Sequence, residues 1–224
     1  MNKNHLEAMN DVALFQGICS EEYNTLIMCL SPQIKYFTKN EILLLTGDSV
    51  HHVGIIIDGT ASAYLDHSSG SHTLITNLTP KSTFGEVLVS SRTHKSPVTI
   101  YATSDVTVAF IEYEKIYSMC ATACSAHNLF LQNMIMTISD KYFYLFNRIA
   151  ILREKTLRSK IIAYLYSLSE NGTSSSVTIP YSKTMLADYI LSNRSALSKE
   201  LRKMEDEGLI VVNGRNVELS FLKS

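Results

Sequence analysis

Five polar side chains near the C-terminus share the spacing of a helix face: Arg194, Ser195, Ser198, Lys199 and Arg202. The last four recur at i, i+3, i+4 and i+7, which stacks them along one side of an α-helix. Hydroxyls and long cationic donors in one stripe, with no acid among them, can reach base edges and phosphates in a DNA major groove. Leu197, Leu201 and Met204 recur at i, i+4 and i+7 on another side, so the same helix has a stripe to bury. Asn193 stands where a helix N-cap would, which places Arg194 in the first turn.

This helix needs neighbours to hold it. Residues 182–219 read as helix, tight turn, helix and hairpin. Asp206–Leu209 ends the second helix with a glycine C-cap. Leu209–Val212 and Asn216–Leu219 flank Asn213-Gly214, a turn pair for a two-stranded hairpin. Lys183, Arg202 and Arg215 are cations suited to phosphates.

The rest of the chain supports that placement. Residues 1–152 carry 9 Lys/Arg against 13 Asp/Glu, whereas residues 153–224 carry 11 against 8, so the basic excess sits with the polar helix. The chain has 224 residues and 46% hydrophobic content, enough for a real core and against global disorder. No apolar run reaches the ~20 residues of a membrane span, and the start lacks a signal-peptide apolar region. The expected place is the cytoplasm, with no membrane partner. No Gly-rich phosphate loop, nucleophile elbow or His-Glu-x-x-His zinc motif occurs, so no enzyme is expected.

Residues 6–30 read as helical, with Ser20 as a cap before Glu21-Glu22. From Gln33 to Ile111 short β-prone runs alternate with breakers, the pattern of an antiparallel sandwich or small barrel. Asp58-Gly59 between two such runs signals a hairpin. Helical spacing returns at Tyr113–Ala123 and then over residues 125–152. There Leu131, Ile135, Ile138, Tyr142, Leu145, Ile149 and Leu152 fall at alternating spacings of four and three. That is a heptad seam, the pattern of a helix that pairs with a second copy of itself. The alternative is a long helix buried within one chain. Residues 153–169 continue helical, and 170–176 form a loop.

Four cysteines, Cys19, Cys29, Cys120 and Cys124, read as reduced, buried and inert. Their spacing does not suit an iron–sulfur cluster. The histidines have no flanking signature for haem, and His51-His52 reads as a solvated turn. No metal site is expected.

The segment LADYILSNRSALSKELRKMEDEGLI (residues 186–210), the FGE at Phe84–Glu86 and the order of parts resemble the Crp/Fnr family of bacterial transcription regulators. The resemblance covers nearly the whole chain. It implies an α+β fold: an N-terminal antiparallel β-roll of jelly-roll type with flanking helices, a long dimerisation helix and a C-terminal winged helix-turn-helix. The implied domains are 1–124 for effector sensing, 125–152 for dimerisation and 153–224 for DNA binding. The family's base-reading positions fall on Arg194, Ser195, Ser198 and Lys199. Its arginine at the last position is a lysine here, a point charge without a planar fork. The implied partners are a palindromic operator in double-stranded DNA, a second copy of the chain, RNA polymerase and a small effector.

The effector site departs from the family. Cyclic-nucleotide binders follow their Gly-Glu, at a set spacing, with an Arg-Ser that holds the cyclic phosphate. Here Gly85-Glu86 is followed by Ser96-Pro97, so the cation is absent and one backbone donor is lost. Arg92 and Lys95 read as free loop charges. Gly85, Glu86, Val87, Ser96, Pro97, Leu145 and Phe146 remain the expected pocket. Leu145 and Phe146 stand where relatives place adenine-contacting hydroxyls. Cyclic AMP is therefore not expected, and an apolar or aromatic effector suits these residues. Two other readings stay open: a ligand-binding module without DNA readout, and a redox regulator acting through its cysteines.

Overall fold

The computed structural model describes residues 3–67, 70–118, 125–169 and 172–222. Cys120 and Cys124 lie outside the described residues. The chain divides into two compact units, Met1–Ser139 and Asp140–Ser224.

In the first unit two helices, α1 (Lys3–Asn10) and α2 (Ser20–Leu30), precede eight strands. The strands are β1 (Gln33–Phe37), β2 (Ile42–Leu44), β3 (His52–Asp58), β4 (Ala61–Asp66), β5 (His72–Leu78), β6 (Thr83–Phe84), β7 (Thr99–Ala102) and β8 (Val106–Glu112). They form two antiparallel four-stranded sheets, ordered β1-β8-β3-β6 and β2-β7-β4-β5. Alternation explains the two faces of the first sheet. Ile56, Val106 and Val108 point into the roll, against Ala61, Ala63 and Ile100. Val53, Ile55, Ala109 and Ile111 face the helical side, where Phe15, Leu26, Phe130 and Met134 complete a second core. Between β6 and β7 lies the short helix α3 (Glu86–Val89), and after β8 comes α4 (Tyr113–Tyr117).

Several local expectations change. Asp58-Gly59 is not a hairpin turn: β3 and β4 belong to different sheets, and the chain crosses between them there. Gly59 has φ +79°, and a Cβ on it would lie 2.0 Å from the Asp105 carbonyl oxygen, so the crossing needs a residue without a side chain. Ser20 is the first residue of α2, and Cys19 occupies the cap position without a side-chain cap bond. Cys19 is exposed rather than buried, its thiol pointing at Glu22 Oε2 at 3.5 Å, while Cys29 is half-buried. His52 opens β3, half-buried against Phe110, and burial pulls its imidazole below the ordinary value.

Helix α5 (Ser125–Leu152) crosses the division between the units. The second unit contains its last part, then α6 (Leu157–Leu168), β9 (Ser176–Thr178), α7 (Lys183–Tyr189), α8 (Arg194–Asp206), β10 (Ile210–Asn213) and β11 (Asn216–Leu219). Helix does not run on from α5: Thr156 caps α6 in a reciprocal capping box with Ser159, so residues 153–156 form a break. The hairpin gains a third strand, because β9 pairs with β11 in a sheet ordered β10-β11-β9. Its corner is Gly214-Arg215 rather than Asn213-Gly214, since Asn213 pairs with Asn216. Ile161, Leu165, Leu186, Leu197, Leu201, Met204, Ile210 and Val217 make one core for this unit.

Candidate nucleic-acid interface

The interface is assembled from capped helices. Ser182 accepts the backbone N–H of Met185 at 3.3 Å and starts α7, whose Leu186 and Ala187 are buried. The turn closes with Ser192 N–H bonded to the Ala187 carbonyl at 2.8 Å. Asn193 then caps α8 by accepting from Ala196 N–H at 2.7 Å, which satisfies one of the free donors of the first turn. Leu197, Leu201 and Met204 enter the core. That leaves Arg194, Ser195, Lys199 and Arg202 exposed and Ser198 half-buried, while Lys183 is exposed on α7.

Three acids around α8 are bound elsewhere. Arg158 of α6 donates to Glu200 Oε1 at 2.6 Å, and to Glu207 Oε2 and Oε1 at 2.6 and 3.1 Å. Bonding to Arg158 holds the Glu207 carboxyl below its ordinary range. Glu205 accepts the backbone N–H of Val212 in β10 at 3.0 Å. The stripe ends at Arg202, because Asp206, four residues on, would repel phosphate. At the far end Leu209 N–H bonds the Met204 carbonyl and Gly208 N–H the Glu205 carbonyl, a Schellman ending that turns the chain into β10. A cleft of about 200 Å³ lies between α7 and the small sheet, with Leu186, Leu201 and Val217 among its lining and Lys183 and Arg215 beside them.

An aromatic group anchors the last part of α5 within this unit. Tyr189 packs against Tyr144, Tyr164 and Tyr181, with ring centroids 5.5–5.8 Å apart. The Arg148 guanidinium lies 5.2 Å from the Tyr189 ring centre, within cation–π range.

In the first unit, Phe84 sits opposite Gly54 in the β3–β6 pair, and a Cβ on Gly54 would lie 2.2 Å from the Phe84 ring. Gly85 (φ +87°) has no room for a Cβ beside the His52 carbonyl and opens α3. Glu86 is 1% exposed, whereas Val87 is largely open. Ser96 is buried, but its hydroxyl donates to the Val98 carbonyl at 2.7 Å and accepts the Val98 N–H at 3.3 Å. Pro97, Arg92 and Lys95 are exposed. A buried phosphate needs a paired cation and donors. Ser96 is bonded internally and Pro97 has no backbone donor, so this pair does not fit a cyclic phosphate. Leu145 and Phe146 belong to the second unit, where both are exposed on α5.

The heptad positions differ in burial. Leu131 and Ile138 pack on the first core. Ile135 (63% exposed), Tyr142 (61%), Leu145 and Ile149 (59%) are open, and Leu152 is half-buried. Among the described residues no three His, Cys, Asp or Glu side chains are placed to hold a metal.

Residues 34–123 match the model of the cyclic nucleotide-binding domain, and residues 159–222 match that of the Crp-like helix-turn-helix domain. The chain belongs to the Crp/Fnr family. Like other Crp/Fnr proteins it is a DNA-binding transcription regulator with a ligand-binding domain. Among solved structures, a CooA mutant from Carboxydothermus hydrogenoformans is 18% identical, with 96% of each chain covered and a TM-score of 0.61. CprK complexed with OCPA is 13% identical, covering 91% of this chain and 92% of its own, at a TM-score of 0.62. The c-di-GMP responsive global regulator CLP of Xanthomonas campestris is 17% identical, covering 88% and 98%, at 0.53. These likenesses concern the Crp/Fnr fold. No curated protein matches the sequence.

Two features of this Crp/Fnr chain were missed by sequence reasoning. Arg158 sits in a stretch read only for its apolar positions. Strand β9 is three residues long and follows a serine run, which carries no strand signal.

Proposed function

We propose that the protein is a homodimeric, sequence-specific regulator that reads a palindromic operator with α8. The observation that carries this is the stripe of Arg194, Ser195, Ser198, Lys199 and Arg202, with Glu200, Glu205 and Glu207 bonded elsewhere. In this reading Arg194 takes a guanine edge with its fork, while Lys199 acts as a point charge. Lys183, Arg202 and Arg215 hold phosphates. The open apolar positions of α5 pair with those of a second copy, which sets the spacing of two half-sites. Residues 1–124 sense, 125–152 pair and 153–224 read DNA, with RNA polymerase as the protein partner.

The effector in this reading is a small apolar or aromatic molecule. The poor fit of Ser96 and Pro97 to a cyclic phosphate supports it, since the pair offers no cation and Pro97 no backbone donor. The fold itself does not prescribe cyclic AMP, since CprK is complexed with OCPA and CLP responds to c-di-GMP.

The test uses a duplex selected from random sequence by the wild-type protein. Arg194→Ala should cost about 1–3 kcal/mol of discrimination at one base position. Arg202→Ala should weaken all duplexes alike and lower the salt slope by about 1. Unchanged affinity, specificity and salt slope in Arg194→Ala and Lys199→Ala would refute the groove assignment. Calorimetry tests the effector reading, and micromolar binding of cyclic AMP would overturn it.

A further inference from the structure

Arg158 is the second residue of α6, separated by one residue from the break at 153–156. Its guanidinium uses Nε on Glu200 and both terminal nitrogens on Glu207. These glutamates are seven residues apart, about 10 Å along a helix axis. A planar fork that grips two points so far apart resists both rotation of the helix and sliding along its axis. An ammonium in its place is a point charge without the fork and cannot fix the direction of either carboxylate. At about 100° per residue, Glu200 stands on the side of α8 away from Ser195, Ser198 and Arg202, so Arg158 grips the helix from behind its reading stripe.

The apolar packing of Leu197, Leu201 and Met204 is non-directional and tolerates small rotations. Base readout does not, since bidentate contacts demand one orientation of the stripe. We propose that Arg158 is a positioning residue for DNA recognition, a strut that ties the rotational setting of α8 to the α5–α6 joint. The proposal rests on the reading that α8 enters a major groove. It adds a route by which a change at the joint reaches the bases without any contact between Arg158 and DNA.

The test compares full-length wild type, Arg158→Lys, Arg158→Met and Arg194→Ala on the selected duplex and on an unrelated one at the same salt. Circular dichroism and thermal melting establish folding. In both Arg158 variants, affinity for the selected duplex should fall roughly tenfold or more, the equivalent of about one lost base contact. Affinity for the unrelated duplex should stay unchanged, and amide exchange in α8 should quicken. A merely structural arginine would lower the melting temperature and leave the ratio of the two affinities intact, and that result overturns the strut. If Arg158→Met fails to fold, Arg158→Lys decides. If Arg194→Ala loses the preference and Arg158→Lys keeps it, the strut alone is wrong. If neither loses it, or the wild type has no preference, the groove reading fails and the strut with it.

Discussion

The side-chain oxygen of Asn193 accepts the backbone N–H of Ala196 at 2.7 Å. This bond starts the reading helix, and the Ser195 hydroxyl also donates to the same oxygen at 2.8 Å. Asn193→Ala should cost about 1 kcal/mol of stability, read by urea unfolding. It should also weaken operator binding, because fraying of the first turn releases Arg194 and Ser195 together. Asn193→Asp should keep the cap.

Leu191 holds φ +52° and is 67% exposed, between α7 and α8. A β-carbon in the left-handed region costs roughly 1–2 kcal/mol, and glycine avoids that strain. Leu191→Gly should therefore raise the denaturation midpoint, although glycine gains entropy in the unfolded chain. A lower midpoint would mean that the exposed leucine has a partner.

Gly59→Ala should destabilise the β-roll by about 2–4 kcal/mol, since φ +79° and the Asp105 carbonyl both exclude a Cβ. Chemical unfolding monitored separately in the two units should show the loss in the first one. An unchanged roll would refute the crossing at this residue.

Ile149→Glu and Ile135→Glu place a charge on the open apolar positions of α5. Both positions are well exposed, so each variant should remain folded. Sedimentation should show a shift from dimer to monomer, with a loss of operator affinity because two half-sites are no longer read together. A wild-type protein that sediments as a monomer would remove this reading.

Alkaline pH should weaken both units. Burial pushes Tyr23 in the first unit and Tyr181 in the second up to about 12, and raises Tyr164 and Tyr189 above the ordinary value near 10. Below pH 10 these phenols are neutral in folded and unfolded chains alike, so their contribution is fully present. Between 10 and about 12 only the unfolded chain ionises, and stability falls as pH rises through that window. Tyrosinate absorbance should show a delayed fraction of phenols that titrates together with loss of structure. Titration of all tyrosines near 10 without unfolding would contradict the buried assignments.

The output end was legible because its information is local. Helical spacing sorts Leu197, Leu201 and Met204 from Ser195, Ser198 and Arg202, and a cap residue such as Asn193 marks the start of the helix within a few residues. The strands of the roll were legible for the same reason, since alternation and breakers are short-range. Strand partners were not. Asp58-Gly59 has the composition of a hairpin turn and serves as a crossing, because pairing depends on residues such as Asp105 that are distant in sequence.

The resemblance to the Crp/Fnr family marked Ser96-Pro97 as standing where a cyclic phosphate would need a cation, while the amino-acid sequence by itself determined where the helices and most strands lie and which face of α8 is polar. The latter follow from periodicity, backbone chemistry and residue type. The tertiary structure alone decided that Arg158 reaches across to Glu200 and Glu207, that Tyr144 and Arg148 pack on Tyr189, and that β9 completes the small sheet. Each of these joins groups far apart in the chain. Such contacts form only when the core sets their distance, and no local pattern encodes that distance.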